Sequence, residues 1–390
     1  MAAGGARFAR ARPVFVWRHP MNQLALEGFP AAEPAAVHGG LSTHAASWPC
    51  YASASSVAGS GLESPNLLIV GFLKCGTTSL AKHLSDHPEI ASPIAKELYY
   101  LIDPTSRLMA MHDVIGRASF GDREAPGNDA RFIDYFQNVD GKKYALDATP
   151  FYYSQQRALR YAEENPATKI IFMTRRPDLR LLSSFRFFHR MLQEYPDGSF
   201  AEFVDVLLDQ GQKRAAYRRR IRKEFFVELF DDELEMGCYE RHITRWVNAV
   251  GNDRVLTGTM EELRDDPHGF VSIVCDYLGI DAAFYDRYNF SPYLQSYEVR
   301  FPSLQKLARR MGGEDPMRYE TISRFQSPFY RLSIPVLRNS LDRIYRSVQH
   351  KSAASSAEKE PLGRLMAYYA QANATLRDRY GIDYTGSFAN

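Results

Sequence analysis

Short, wholly apolar runs alternate along this chain with longer stretches in which apolar residues recur every third or fourth position. An unbroken apolar run with a glycine or a turn at its end predicts a strand buried on both faces, and Leu67 to Val70 and Thr168 to Thr174 are such runs. Lys143 to Tyr153 predicts a short strand ending in a polar turn, and Val255 to Thr257 another strand. Helical patterns follow them. Thr77 to Leu84 begins one that ends at His87-Pro88, because the residue before proline is pushed out of the helical region. Ser154 is placed to cap a helix carrying Arg157 and Tyr161, and Pro177 suits the first turn of the next. Tyr239, Ile243, Trp246, Val247 and Val250 share a helical face, and Asp266-Pro267 opens a helix whose Phe270, Ile273, Val274, Tyr277 and Leu278 are expected to face the core until Gly279 stops it. The alternation predicts an α/β fold: a P-loop-like central parallel sheet flanked by helices, joined by right-handed crossovers, with ligand across the carboxyl ends of its strands.

Other stretches lack this pattern. Residues 1–60 are rich in Ala, Gly, Ser and Pro, reach their first acidic residue only at Glu27, and predict a low-complexity, disordered tail. The rest, 65–385, reads as one main domain with a core at 65–280 and a helical substrate or closing region at 281–385, where Leu365 to Tyr384 should dock back as a terminal helix. Residues 107–138 read as a surface excursion. The run Val14 to Trp17 is far shorter than the roughly 18 residues that span a bilayer, so no transmembrane segment and a soluble, cytoplasmic protein are expected. Organelle targeting by the arginine-bearing tail is left open.

Composition narrows the function. With 390 residues, 45% hydrophobic and 24% charged, the chain can build a full α/β core. A net charge of +2 supplies no global field towards nucleic acid, so anion binding must be local. Four cysteines form neither a disulfide framework nor a zinc pattern.

The candidate chemistry lies at the ends of the predicted strands. Gly71-x-x-Lys74-Cys75-Gly76-Thr77-Thr78-Ser79 joins a strand to a helix start, where backbone N–H groups and the helix dipole converge on an anion. Its lysine precedes the second glycine, unlike a nucleotide triphosphatase loop. Cys75 is expected to serve as a compact packing residue. Lys96-Glu97 precedes Leu98, Tyr99 and Tyr100, so a carboxylate with a cation beside it enters apolar surroundings and can accept a proton. Arg175, at the end of the second long apolar run, leads into Pro177 and a helix whose Arg176, Arg180, Ser183 and Ser184 can share one face around a second anion. Lys213 to Lys223 carries seven cations, a solvated face or a strip for an anionic polysaccharide.

The loop around Lys74 resembles the 5′-phosphosulfate loop of sulfotransferases that use 3′-phosphoadenosine 5′-phosphosulfate (PAPS), and Arg175 to Ser183 resembles their 3′-phosphate segment, Arg-x-Pro-x-x-Arg-x-x-Ser. The spacing to Lys96-Glu97 is similar to that of bacterial and glycosaminoglycan-type carbohydrate sulfotransferases. Asp147, Thr149 and Tyr152 resemble the segment lining their acceptor side. The likeness covers about 65–280. It departs from the usual pattern at Leu73, Arg176 and Phe185, where proline, asparagine and tyrosine are common. The resemblance implies sulfuryl transfer from PAPS to a hydroxyl or amine, with a carbohydrate as acceptor and no metal. In that reading Glu97 is the base and Lys74 stabilises the leaving phosphate. Gly71, Lys74, Cys75, Gly76, Thr77, Thr78, Ser79, Arg175 and Ser183 hold the donor, and Lys96, Asp147, Thr149 and Tyr152 lie towards the acceptor. His112 is the alternative base. A P-loop kinase needing Mg²⁺, or a non-catalytic glycan-binding relative, are the rival readings.

Overall fold

The computed structural model describes residues 62–93, 95–110, 132–136, 138–191, 194–209, 211–290, 298–299, 349–350 and 355–385. The tail at 1–60, His112, most of the 107–138 excursion and most of 291–354 lie outside the described residues.

The two long apolar runs become the central strands because both of their faces are covered. Strand β1 (Leu67–Gly71) is wholly buried and β4 (Lys169–Thr174) is buried from Ile170 onward. With β2 (Ile90–Ala91), β3 (Tyr144–Asp147) and β5 (Val255–Thr259) they form a five-stranded sheet in the order β2-β3-β1-β4-β5, every neighbouring pair parallel. After β1 the chain moves towards β2 and β3; after β4 it moves the other way, to β5. The strand order therefore reverses at β1 and β4, and in open α/β sheets the ligand crevice lies outside the carboxyl ends at such a reversal.

Helices cover the sheet. They are α1 (Thr77–Ser85), α2 (Gln156–Glu164), α3 (Pro177–Phe185), α4 (Phe200–Leu208), α5 (Gln212–Arg218), α6 (Glu224–Asp232), α7 (Tyr239–Val250), α8 (Met260–Asp265) and α9 (Pro267–Leu278). Helix α3 runs on into one π-helical turn, Arg186–Met191, which had no signal in the sequence. Two short strands, β6 (Glu298–Val299) and β7 (Gln349–His350), pair antiparallel.

The terminal segment is two helices, α10 (Ser356–Tyr368) and α11 (Ala370–Tyr380), and it docks as expected. Leu362, Leu365, Tyr369 and Leu376 are buried, and the Tyr384 hydroxyl lies 2.8 Å from Thr174 Oγ1 at the end of β4.

Two local expectations change. Ser154 does not cap α2; the Asp103 carboxylate accepts the N–H groups of Gln156 and Arg157 at 2.9 and 2.7 Å, a partner too distant in sequence to foresee. Ile273 does not join the core face of α9 but is 52% exposed, while Phe270, Val271, Val274, Cys275 and Leu278 are buried.

Candidate active site

The loop between β1 and α1 is shaped by backbone freedom at two places. Gly76 sits at φ 85°, and a Cβ there would meet Met260 Cγ at 3.3 Å. Lys74 itself adopts φ 65°, a left-handed conformation that L-residues seldom take. No side chain caps the start of α1, and no acidic residue stands in its first turn. A helix start without a side-chain cap is a place where backbone N–H groups can meet an anion. Thr77 is buried at this start, while Thr78 and Ser79 are partly open. Cys75 is buried with its Sγ 3.6 Å from the Tyr239 hydroxyl, and burial pushes its thiol up to about 12, so it fills space as expected instead of serving as a nucleophile.

The Lys74 ammonium lies 4.1 Å from the centre of the Phe187 ring, which the π-helical turn carries to the loop. Removal from water, with repulsion from Arg175 and then Lys96, pulls its pKa down to about 8, while Cys75 and Glu97 act in the opposite direction. Arg175, Lys96 and Glu97 are therefore close enough for their charges to act on Lys74.

Arg175 follows the last residue of β4, and its Nη1 donates to the Lys74 carbonyl at 3.3 Å. The two anion clusters of the sequence thus meet where the strand order reverses. Ser183 lies buried two turns along α3. Beside Arg176 a cavity of about 360 Å³ opens, lined also by Thr259, Glu261, Glu262, Ile382 and Tyr384.

The basic face expected of α3 is divided: Arg180 and Ser184 share a face that turns into the protein, and Arg176 is paired elsewhere. The Arg176 guanidinium is paired with Asp178 at 2.6 Å. Arg180 is fully buried and donates to Glu233 Oε2 at 3.0 and 3.1 Å, with Ser184 Oγ donating to the other carboxylate oxygen. A cation pulled out of water needs an opposite charge at contact, and Glu233 on the far side of the helix supplies it.

Glu97 is 2% exposed. The Lys96 ammonium pairs with its Oε1 and the Tyr99 hydroxyl donates to its Oε2 at 2.9 Å. Asp147, Thr149 and Tyr152 are fully enclosed behind this segment, their polar atoms turned to one another and to the backbone at 98–101. Burial pushes the Asp147 carboxyl up to about 6, while hydrogen bonds from Tyr152, Thr149 and Leu98 act in the other direction.

The basic run is partly neutralised. Arg218 pairs with Asp231 and Lys223 with Glu194, whereas Lys213, Arg219, Arg220 and Arg222 are exposed. Sequence reasoning passed over three residues of this region. Tyr99 was visible as an aromatic beside Glu97, but not its φ of 54° or its bond to the carboxylate. Phe187 depends on the unforeseen π-helical turn, and Glu233 lies 53 positions from the arginine it neutralises.

Mouse heparan sulfate glucosamine 3-O-sulfotransferase 3B1 is 22% identical over 279 residues, covering 69% of this chain and 61% of the relative. The human form is 22% identical over 236 residues, 60% of this chain and 51% of the relative. The chain therefore spans under two thirds of the length of these relatives. A solved sulfotransferase from Alicyclobacillus acidocaldarius is 23% identical, covers 65% of this chain and 91% of its own, and superposes with a TM-score of 0.43. Residues 64–288, more than half of the chain, match the sulfotransferase domain, and the protein belongs to that family.

Proposed function

We propose that this protein transfers a sulfuryl group from PAPS to a hydroxyl or amine of a carbohydrate. The observation that carries the reading is the contact between Arg175 and the Lys74 carbonyl, which gathers two cationic clusters at one strand-end crevice. A donor with phosphate at both its 5′ and 3′ positions needs such a pair. An ordinary nucleotide needs one.

The backbone from Gly71 to Ser79, with Lys74 and the hydroxyls of Thr77 and Thr78, holds the 5′ end, and Arg175 and Ser183 hold the 3′-phosphate. The donor supplies the sulfuryl group. Glu97 takes the proton of the acceptor hydroxyl as the new oxygen–sulfur bond forms, and Lys74 offsets the negative charge that remains on the departing phosphate oxygen. Lys96 pairs with Glu97 and so helps to orient its carboxylate.

The relatives bear names of enzymes acting on heparan sulfate glucosamine, and the exposed Lys213, Arg219, Arg220 and Arg222 suit an anionic polysaccharide. The test is to incubate the purified protein with radiolabelled PAPS and a panel of polysaccharide, oligosaccharide, lipid and phenolic acceptors. Label entering a carbohydrate supports the reading; label entering only a phenol overturns the acceptor, and none entering any of them overturns the activity.

A further inference from the structure

The segment carrying Glu97 is held from behind by side chains that contact nothing else polar among the hydrogen bonds described above. The Leu98 N–H points to Asp147 Oδ1 at 3.5 Å, the Tyr99 N–H donates to Thr149 Oγ1 at 3.2 Å, and the Leu101 N–H donates to the Tyr152 hydroxyl at 3.1 Å. Each hydroxyl passes the polarity on. Thr149 Oγ1 donates to Asp147 Oδ1 at 2.8 Å and the Tyr152 hydroxyl to Oδ2 at 2.7 Å. Both hydroxyls accept from the backbone and donate to one carboxylate, so a single buried acid sets the direction of the whole network.

What the network grips is a turn of unfavourable shape. Tyr99 has φ 54°, a conformation costly for an aromatic residue unless its surroundings impose it. In that turn the Tyr99 hydroxyl reaches back to Glu97 Oε2 at 2.9 Å, on the oxygen opposite the one that Lys96 holds. One carboxylate oxygen is thus held by Tyr99, whose own backbone N–H is held by Thr149 just after β3, and the other by Lys96, two residues before the first of the bracketed N–H groups. Since Asp147, Thr149 and Tyr152 are each fully buried, an acceptor could not touch them without displacing the Glu97 segment.

We propose that Asp147, Thr149 and Tyr152 form a bracket that positions Glu97 for proton transfer, in place of the acceptor-lining role that the sequence resemblance suggests. The inference rests on the sulfuryl-transfer reading above for its kinetic consequence, not for its structural one.

The test uses the full chain as wild type, Thr149→Val, Thr149→Ser and Tyr152→Phe. Removing a bracket hydroxyl lets the carboxylate stray, and small misplacements of a catalytic group cost about 10- to 100-fold in rate. With PAPS and heparan sulfate, Thr149→Val and Tyr152→Phe are expected to lose kcat by that factor, with acceptor KM changed by less than about twofold and unchanged affinity for 3′-phosphoadenosine 5′-phosphate. Thr149→Ser, which restores the hydroxyl, should recover most of the rate. A raised acceptor KM at unchanged kcat would return these residues to the acceptor site. Lower melting temperature with unchanged kcat per folded molecule would make them merely structural. Amide hydrogen exchange, read without turnover, should accelerate at 98–101 in Thr149→Val while β1 and α1 keep their protection; unchanged exchange there overturns the bracket. A wild-type protein inert towards PAPS would instead sink the functional reading and leave the exchange result to decide the bracket.

Discussion

Lys74 carries its positive charge against the pull of its surroundings. Its folded pKa of about 8 lies below its ordinary value of 10.5. The unfolded chain therefore binds more protons between these values, so Lys74 lowers stability at neutral pH, and that cost fades as pH rises from about 8 towards 10.5. On the proposed reading, the same loss of a proton removes a charge that would hold the anionic donor. Affinity for 3′-phosphoadenosine 5′-phosphate should fall as pH rises through about 8, and isothermal titration from pH 7 to 9.5 should find that step absent in Lys74→Ala. Glu97→Gln keeps the shape but cannot take a proton. Its kcat should fall by about 10² to 10⁴-fold with donor affinity unchanged, measured by labelled transfer and titration side by side. Full activity in that variant would remove Glu97 from the base position. Lys74 and Glu97 could be named as candidates from the chain, by loop spacing, by a carboxylate set against aromatic residues and by the family-like distance between them. Their aim could not be read, since it depends on left-handed backbone at Lys74 and Tyr99, which no local pattern of bulky residues announces.

At the scale of elements, the strand β4 to helix α3 unit shows where local reading stops. Proline at the first turn and the buried strand were foreseeable from propensity and periodicity. The sorting of the arginines was not, because helical spacing says which residues share a face but not what lies opposite that face. Arg180 turns into the protein towards Glu233, and Ser184 completes the pair. Glu233→Ala would leave a buried guanidinium without its counter-charge and should cost about 3–5 kcal/mol in urea or guanidinium unfolding. Replacing Arg180 and Glu233 together by Met and Leu should cost less than the single change, since no charge is then stranded; equal losses would contradict the pairing. Strand β2, only two residues long, was missed for a similar reason: it is a strand through its pairing with β3, and so short a run carries no period of its own.

The whole molecule is organised by one topological fact. The chain leaves β1 in one direction across the sheet and β4 in the other, and the loops after these two neighbouring strands meet, Arg175 donating to the Lys74 carbonyl. Fold class was readable because parallel strands buried on both faces leave continuous apolar runs, and the helices between them leave a different period. The order of the strands, and with it the meeting of Lys74 and Arg175, could be expected only from family resemblance. Among the described residues, no helix is long and apolar enough to cross a membrane.

The central claim is that one crevice holds a nucleotide by its two phosphorylated ends. Calorimetric titration of wild type and Arg175→Ala with 3′-phosphoadenosine 5′-phosphate, adenosine 5′-phosphate and ATP tests it directly. Wild type should prefer the bisphosphate over adenosine 5′-phosphate by at least about tenfold, the worth of one charge-assisted contact, and Arg175→Ala should lose that preference. Equal affinity of wild type for the two nucleotides, or tighter binding of ATP, would contradict it.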